Sequence, residues 1–174
     1  IMVSGANVIE IGNDKYLTYQ FLKDNGLFYP ETNLPNEVDF ESLTFPVIVK
    51  PRVGARSVGV YKVNSIDELK DSLAKVKEPI IQEYIGNEDS EYTCGLLYLT
   101  EELQNQIVLK RSLKQGNTFI SEYSDQFSDK IYDYIKAIGK KLKPYGACNL
   151  QLRVNKEGNP ILFEINPRHS GTTY

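Results

Sequence analysis

The sequence is poor in the residues that build disulfide frameworks and zinc sites. Its 174 residues include two cysteines and one histidine, and Cys94 and Cys148 lie far apart in strand-like runs. This scarcity argues against a zinc site and against a structural disulfide. We therefore expect both thiols to be free, as in a protein of the reducing cytoplasm.

Long apolar runs and an excess of basic residues are also missing. No run approaches the roughly 20 apolar residues that cross a bilayer, and no signal-peptide pattern opens the chain. The formal net charge is −3, whereas a nucleic-acid surface needs clustered lysine and arginine. We expect neither a membrane nor a nucleic acid as partner. The length suits one domain, or two small lobes that share a cleft.

Helix and strand patterns alternate along the chain. Helices are predicted over 15–25, capped by Asn13 or Asp14 and closed by Gly26, over 66–76 after a Ser65–Glu68 capping box, and over 131–142. Strand patterns cover 45–51, 60–63, 79–84, 92–99, 106–113, 147–154 and 160–165, with a connection at 101–105 and a loop at 115–120. This succession predicts an α+β fold with mostly antiparallel sheet.

The last two strands gather polar side chains on one face. Alternation with period two puts Asn149 and Gln151 on one side of the first strand, and Glu164 and Asn166 on one side of the second. A turn centred on 157–158 would pair Gln151 with Glu164 and Asn149 with Asn166. These side chains are hard oxygen donors, which Mg²⁺ prefers. Spacing alone leaves a hairpin with one solvated face as an equal alternative.

A second polar motif follows the strand over 45–51. Lys50 lies at the end of this strand, and the glycine-bearing loop 52–59 comes next. A lysine there offers a positive charge to phosphates, and backbone N–H groups of a flexible loop can close over them. The loop is neither a Walker loop nor a dinucleotide fingerprint, so by itself an ordinary hairpin turn is the better explanation.

Taken together, the two motifs resemble the ATP-grasp superfamily over roughly residues 13–172. The family has a Lys-Pro strand, a glycine-rich flap and a hairpin whose second strand reads Glu-x-Asn-Pro-Arg, matched here by Lys50-Pro51, 54–60 and 163–168. Many members of the family carry Asp or Glu at the position of Gln151. A glutamine at this position of the first strand resembles the large subunit of carbamoyl-phosphate synthetase. Lys50, where those enzymes usually carry arginine, departs from that pattern, as does a flap with fewer glycines.

The resemblance implies an ATP-grasp fold, with two lobes whose antiparallel sheets clamp ATP. Residues 1–174 would be one ATP-grasp domain and a fragment of a longer chain, with a small lobe over about 31–85 and a larger lobe over about 86–174. An N-terminal domain of the parent chain would complete the substrate site. Formation of a homo-oligomer is left open.

The resemblance also implies roles for individual residues. Two Mg²⁺ or Mn²⁺ ions would bind Gln151, Glu164 and Asn166, while Arg168 and Lys50 would stabilise the transferred phosphoryl group. Contacts with ATP would come from Lys15, Lys50, Arg56, Ser57, Gln82, Glu83, Tyr84, Ile85, Glu91 and Lys110. Glu88 competes with Glu91 for the ribose hydroxyls. Arg111 competes with Lys110 for the phosphates, because alternation sends only one of them into the cleft.

The implied activity is that of an ADP-forming carboxylate–amine ligase. Such an enzyme activates a carboxylate or bicarbonate as an acyl phosphate, which an amine or ammonia then attacks, as in carbamoyl-phosphate synthetase. The alternatives are an amino-acid ligase of the same fold and a non-catalytic nucleotide-binding module. Local candidates for substrate selection are residues 115–120 and 170–173.

Overall fold

A computed structural model of the chain describes residues 2–55, 57–114 and 117–170. The α-helices of this part are α1 (Ala6–Asn13), α2 (Lys15–Asp24), α3 (Ile66–Leu73) and α4 (Ser128–Leu142). The strands are β1 (Thr32–Asn33), β2 (Val47–Pro51), β3 (Tyr61–Val63), β4 (Pro79–Glu83), β5 (Glu91–Leu99), β6 (Glu102–Lys114), β7 (Asn117–Tyr123), β8 (Gly146–Val154) and β9 (Pro160–Asn166). None of these helices is long and apolar enough to span a membrane.

The strands form two antiparallel sheets, which confirms the predicted α+β fold. The first sheet has the order β1-β4-β2-β3 and the second the order β7-β6-β5-β8-β9. Apolar residues of β2, β3 and β4 pack with α3 in one core, and one face of the second sheet packs with α4 in another. Val8 of α1 and Leu22 of α2 belong to this second core. The division into lobes at about residue 85 stays a prediction.

The ends of α2 and α3 follow from local capping. Asp14, rather than Asn13, caps α2 by accepting from the backbone N–H groups of Tyr16 and Leu17, and Gly26 takes a positive φ of 64° just beyond the helix. The capping box at α3 forms in part. Ser65 accepts from the Glu68 N–H, whereas the Glu68 carboxylate accepts from the N–H of Asn64. Helix α3 ends at Leu73, three residues before the predicted end.

Two predicted connections are wrong. Strand β6 begins at Glu102 rather than after residue 105, because Thr100 and Glu101 both adopt positive φ and close a tight hairpin turn. The loop predicted over 115–120 is strand from Asn117 onward, since 117–123 pairs with the end of β6. Residues 115 and 116 lie outside the described ranges. Helix α1 has no side-chain cap at its start, and the sequence pattern did not indicate it.

Gly139 marks the closest approach of α4 to the second sheet. A Cβ added there would lie 2.6 Å from two ring carbons of Tyr98, so the helix packs on β5 where it lacks a side chain. We expect Gly139→Ala to lower the free energy of unfolding by about 1–3 kcal/mol, as overpacking does, although alanine is the better helix former. Urea unfolding measures the loss. Lys140→Ala, at the exposed neighbouring position, should leave stability unchanged, and a stabilised Gly139→Ala variant would contradict the packing argument.

Candidate functional site

A cleft lies between the two sheets and contains most of the predicted nucleotide-binding residues. Its empty volume is about 900 Å³ with open solvent included. Side chains from both sheets, from α2 and from the loop after β2 line it. The predicted residues that line it are Lys15, Lys50, Ser57, Gln82, Glu83, Tyr84, Ile85, Glu91, Gln151 and Glu164. Arg56 lies outside the described residues.

Two buried lysines give the cleft positive charge. Lys50 is 5% exposed and Lys15 is 8% exposed. Burial, together with the charge of the nearby Lys15, lowers the pKa of Lys50 to about 7. Burial also lowers the pKa of Lys15, against the opposing effect of Glu164. Among the described residues neither lysine has a carboxylate within ion-pair distance. A buried ammonium without a counterion favours an anionic ligand.

The start of α2 holds the base of the loop over 52–59. The Lys15 Nζ donates to the Gly54 carbonyl at 3.0 Å, and the Arg52 guanidinium binds the Asp14 carboxylate at 2.5 Å. Ser57 and Val58 of the same loop line the cleft. The helix cap and the loop are therefore one connected unit, which places the predicted flap at the cleft wall.

The segment over 82–85 runs along the cleft, but its side chains bind protein groups. Gln82 accepts from Lys50 Nζ and donates to Thr32 Oγ1, each at 2.8 Å. The Tyr84 ring lies between two cations, with Lys62 Nζ 4.0 Å and the Arg153 guanidinium carbon 5.0 Å from the ring centroid. The contact of this segment with ATP, which the resemblance implies, stays a prediction.

Glu91 is held by two arginines. Its Oε1 accepts from Nε of Arg111 at 2.9 Å and from Nη2 of the same side chain, and its Oε2 accepts from Nε and Nη2 of Arg153 at 2.9 and 2.8 Å. A carboxylate has about four acceptor positions, so the two guanidinium groups occupy them all. Ribose hydroxyls could reach Glu91 only by displacing an arginine, and its ribose role stays a prediction.

Arg111, and not Lys110, lines the cleft. Lys110 lies opposite Tyr92, whose side chain packs in the core of the second sheet, and neighbouring residues of a strand alternate between faces. The structure therefore puts Arg111 in the cleft in place of the chosen Lys110, and a contact between Arg111 and phosphate stays a prediction. Arg111 also donates from Nη2 to Gln151 Oε1 at 2.9 Å, so it connects Glu91 to the predicted metal site.

The β8–β9 hairpin has the predicted register. Gln151 lies opposite Glu164 and Asn149 lies opposite Asn166. A bulge between Gln151 and Leu152 then shifts the pairing. Leu162 packs in the core, and Phe163 lines the cleft, whereas strict alternation would put Phe163 on the face of Ile165.

The hairpin side chains fit a divalent cation in composition. Glu164 supplies the carboxylate, and Asn166 Nδ2 donates to its Oε1 at 2.9 Å. The amide oxygen of Gln151 accepts from Arg111, while that of Asn166 lies 3.4 Å from Arg168 Nη2. Glu164 and Asn166 are therefore hydrogen-bonded to each other, Gln151 lies opposite Glu164 on the neighbouring strand, and each of the three can offer an oxygen. Mg²⁺ needs few protein ligands when phosphate and water complete its octahedron.

A second pocket continues the same sheet face beyond the hairpin ligands. Its lining includes Asn149, Arg168, His169 and Ser170, together with Gly95, Leu97, Ile107 and Ala147. Asn149 is buried and donates from Nδ2 to Thr93 Oγ1 at 2.7 Å and to the Cys94 carbonyl at 3.3 Å. Arg168 therefore lies beside this pocket rather than in the main cleft. Residues 171–173, also predicted to select the substrate, lie outside the described part of the chain.

Some residues in and beside the cleft were not selected from the sequence. Arg153 and Phe163 line the cleft, Arg153 also binds Glu91, and Thr32 binds Gln82. Side chains of a strand alternate between its faces, so the sequence already indicates that Arg153 lies on the polar face with Gln151. The position of Phe163 depends on the bulge, and Thr32 is 50 residues from its partner Gln82, so neither could be found from local spacing.

The chain is similar over most of its length to a family model and to several known proteins. The family model of the ATP-grasp domain matches residues 12–172 of the chain. The protein MG011 of Mycoplasma genitalium is 30% identical over 170 residues, covering 94% of this chain and 57% of that protein. A D-alanine–D-alanine ligase of Bacillus anthracis is 28% identical over 193 residues, covering 95% of this chain and 60% of the ligase.

Two more distant similarities extend over nearly the whole chain. A carbamoyl phosphate synthase large chain of Thermoanaerobacter is 26% identical over 182 residues, covering 94% of this chain and 17% of that protein. The crystal structure of an L-amino acid ligase from Bacillus licheniformis superposes with a TM-score of 0.77 at 20% identity, covering 95% of this chain and 42% of that one. The chain thus spans less than two thirds of the length of these relatives.

Proposed function

The chain belongs to the ATP-grasp domain family, and from this premise we propose that its cleft binds ATP with a divalent cation for ADP-forming carboxylate–amine ligation. The observation that carries the proposal is the pair of buried lysines, Lys15 and Lys50, which lack a carboxylate within ion-pair distance among the described residues. They line the same cleft as Glu164. A buried cation without a counterion is costly unless an anion binds there.

The electrostatics suggest how the residues would act on a triphosphate. Lys50 and Lys15 would neutralise phosphate oxygens from the wall formed by β2 and α2, with Arg111 on the opposite sheet. A divalent cation held by Gln151, Glu164 and Asn166 would offset the charge of the transferred phosphoryl group. Arg168, at the end of the hairpin, would orient the group that receives it. The loop over 52–59 would keep water from the reactive acyl phosphate.

Direct attack of the substrate carboxylate on the γ-phosphoryl group of ATP, without a covalent enzyme intermediate, suits this cleft. Both cysteines are buried in the core of the second sheet, and burial raises the pKa of Cys148 to about 12 and raises that of Cys94 as well. Neither thiol is available as a covalent nucleophile. Binding the two substrates side by side, which converts their reaction into an intramolecular step, would supply most of the acceleration.

We expect Lys50→Ala to weaken binding of Mg·ATP at least about tenfold, or 1.4 kcal/mol. A bound polyphosphate favours the charged lysine, so wild-type affinity should fall as pH rises above about 7, where the free Lys50 loses its proton. The effect of the substitution should shrink over the same interval. Calorimetry at pH 6 and pH 8.5 measures both.

The control is Lys70→Ala, which removes an exposed lysine of α3. Binding that needs no divalent metal and ignores Lys50→Ala would refute the proposal.

The finer proposal is a reaction like that of carbamoyl-phosphate synthetase, with bicarbonate as the activated acid. It rests on the glutamine at position 151. The names of the D-alanine–D-alanine ligase and L-amino acid ligase relatives favour an amino acid as the second candidate. ADP release by the full-length protein, screened with bicarbonate plus ammonia and with amino acids, separates them. Metal-dependent ATP binding without ADP release in any arm would favour the non-catalytic module.

A further inference from the structure

Gln82 joins Lys50 to Thr32 at the base of the cleft. Lys50 Nζ donates to Gln82 Oε1, Gln82 Nε2 donates to Thr32 Oγ1, and Thr32 Oγ1 donates to the Pro30 carbonyl, each at 2.8 Å. All three side chains are at most 5% exposed. Thr32 and Gln82 are paired across β1 and β4, so the sheet itself keeps them together.

The chemistry of the donors fixes the direction of this chain of hydrogen bonds. An ammonium group only donates, so the amide oxygen of Gln82 must face Lys50. The amide nitrogen then needs an acceptor. The Thr32 hydroxyl oxygen accepts this hydrogen bond and donates its own to the Pro30 carbonyl. Reversing the amide would point two donors at each other and leave a buried oxygen facing the Thr32 hydroxyl, at the cost of a lost hydrogen bond.

A neutral partner leaves the charge of Lys50 uncompensated. The charged groups that act on Lys50 are Lys15 from α2, Arg153 from β8, Glu164 from β9 and Glu91 from β5. In the described part of the chain no carboxylate forms an ion pair with it. Gln82 thus satisfies one N–H of the ammonium without neutralising it, which a glutamate in the same place could not do.

We propose that Gln82 is a positioning residue that acts through Lys50. Its amide, held by Thr32, aims the ammonium group into the cleft and keeps the positive charge available for the phosphates of the nucleotide. The inference rests on the proposed nucleotide site. This role of Gln82 differs from the direct contact with ATP that the family resemblance implies for it.

The test replaces the neutral amide by an isosteric carboxylate in the full-length protein. Gln82→Glu should pair with Lys50 and raise its pKa by at least one unit, a tenfold change in proton affinity. Affinity for Mg·ATP at pH 6 should fall at least about tenfold, because the charge is already compensated. The fall in wild-type affinity between pH 6 and pH 8.5 should nearly vanish in the variant. Calorimetry gives the affinities, and NMR titration of lysine-labelled, nucleotide-free protein gives the pKa.

Thr32 offers a milder version of the same test. Thr32→Val removes the acceptor of the Gln82 amide and should weaken Mg·ATP binding severalfold, whereas Thr32→Ser keeps a hydroxyl and should restore it. This pair also carries the test if Gln82→Glu does not fold. Gln104→Glu, at an exposed position of β6, makes the same change of charge away from the cleft and should change neither affinity nor the Lys50 titration.

The outcomes separate the inference from the function on which it rests. Wild-type binding of Mg·ATP with an unchanged affinity and pH profile in Gln82→Glu would overturn the role of Gln82 and leave the proposed function standing. A wild-type protein that fails to bind Mg·ATP would contradict the proposed function. The Lys50 titration needs no nucleotide, and an unchanged pKa in Gln82→Glu would overturn the inference in either case.

Discussion

Glu164→Gln is expected to lower ADP formation by the full-length protein roughly 100-fold or more. Glu164 is the carboxylate among the three predicted metal ligands, and it lines the cleft with Lys15 and Lys50. An amide of the same shape keeps one oxygen but loses the negative charge that attracts a divalent cation. Loss of charge stabilisation worth several kcal/mol in the transition state corresponds to such a factor.

The measurement compares turnover with stability. Steady-state ADP release and urea unfolding should be recorded for Glu164→Gln and for Glu157→Gln, which makes the same change in the exposed turn of the same hairpin. The first variant should lose turnover and keep its free energy of unfolding, because the Glu164 side chain is only partly buried. A Glu164→Gln protein that unfolds would give the hairpin face a structural role. Normal turnover would remove Glu164 from the reaction.

The hairpin could be predicted because its information is local. Asn155 Oδ1 accepts from the N–H groups of Glu157 and Asn159, and Gly158 takes the positive φ of 77° that the turn requires. Such a turn fixes the register of the strands beside it. The pairing of Gln151 with Glu164 therefore follows from the residues between them, without knowledge of the rest of the chain.

Features that depend on other strands escaped the sequence. The bulge at Gln151 moves Phe163 into the cleft, and strict alternation has no means of indicating an extra residue. Strand β7 contains residues that favour strands, Thr118, Phe119, Ile120 and Tyr123, but they do not alternate with polar residues, and its pairing with β6 joins residues that local spacing does not connect. Strands β2 and β4, by contrast, are marked by their own apolar runs.

Charge partners were the least predictable part of the site. Glu91 was chosen as a free acceptor for ribose, but Arg111 and Arg153 come to lie beside it on two neighbouring strands, 20 and 62 residues away in sequence. The strand order of the second sheet brings the three together. Local spacing marks a residue as polar and cleft-facing, but it does not say which of its neighbours already binds it.

The clamp of Glu91 by two arginines leads to the largest expected effect on stability. Side-chain exposure is 3% for Glu91, 10% for Arg111 and 17% for Arg153, so all three charges are largely removed from water. Loss of the carboxylate would leave two guanidinium groups facing each other without compensation. Removing one member of a buried ion pair costs far more than the net contribution of the pair, because the remaining charge stays buried.

We expect Glu91→Gln to lower the free energy of unfolding by roughly 3 kcal/mol, a large fraction of the stability of an ordinary domain. The matched control is Glu101→Gln, which removes the carboxylate of the exposed ion pair with Lys143 and should cause no measurable change. Urea unfolding of both variants, with and without Mg·ATP, makes the comparison. The nucleotide should recover part of the loss in Glu91→Gln, since its phosphates supply negative charge to Arg111.

The ratio of the affinities for ATP and 2′-deoxy-ATP should be the same in wild type and in Glu91→Gln if Glu91 acts only as the clamp. A variant as stable as wild type that no longer distinguishes the two nucleotides would instead make Glu91 the ribose acceptor, with the arginines as partners that it releases on binding.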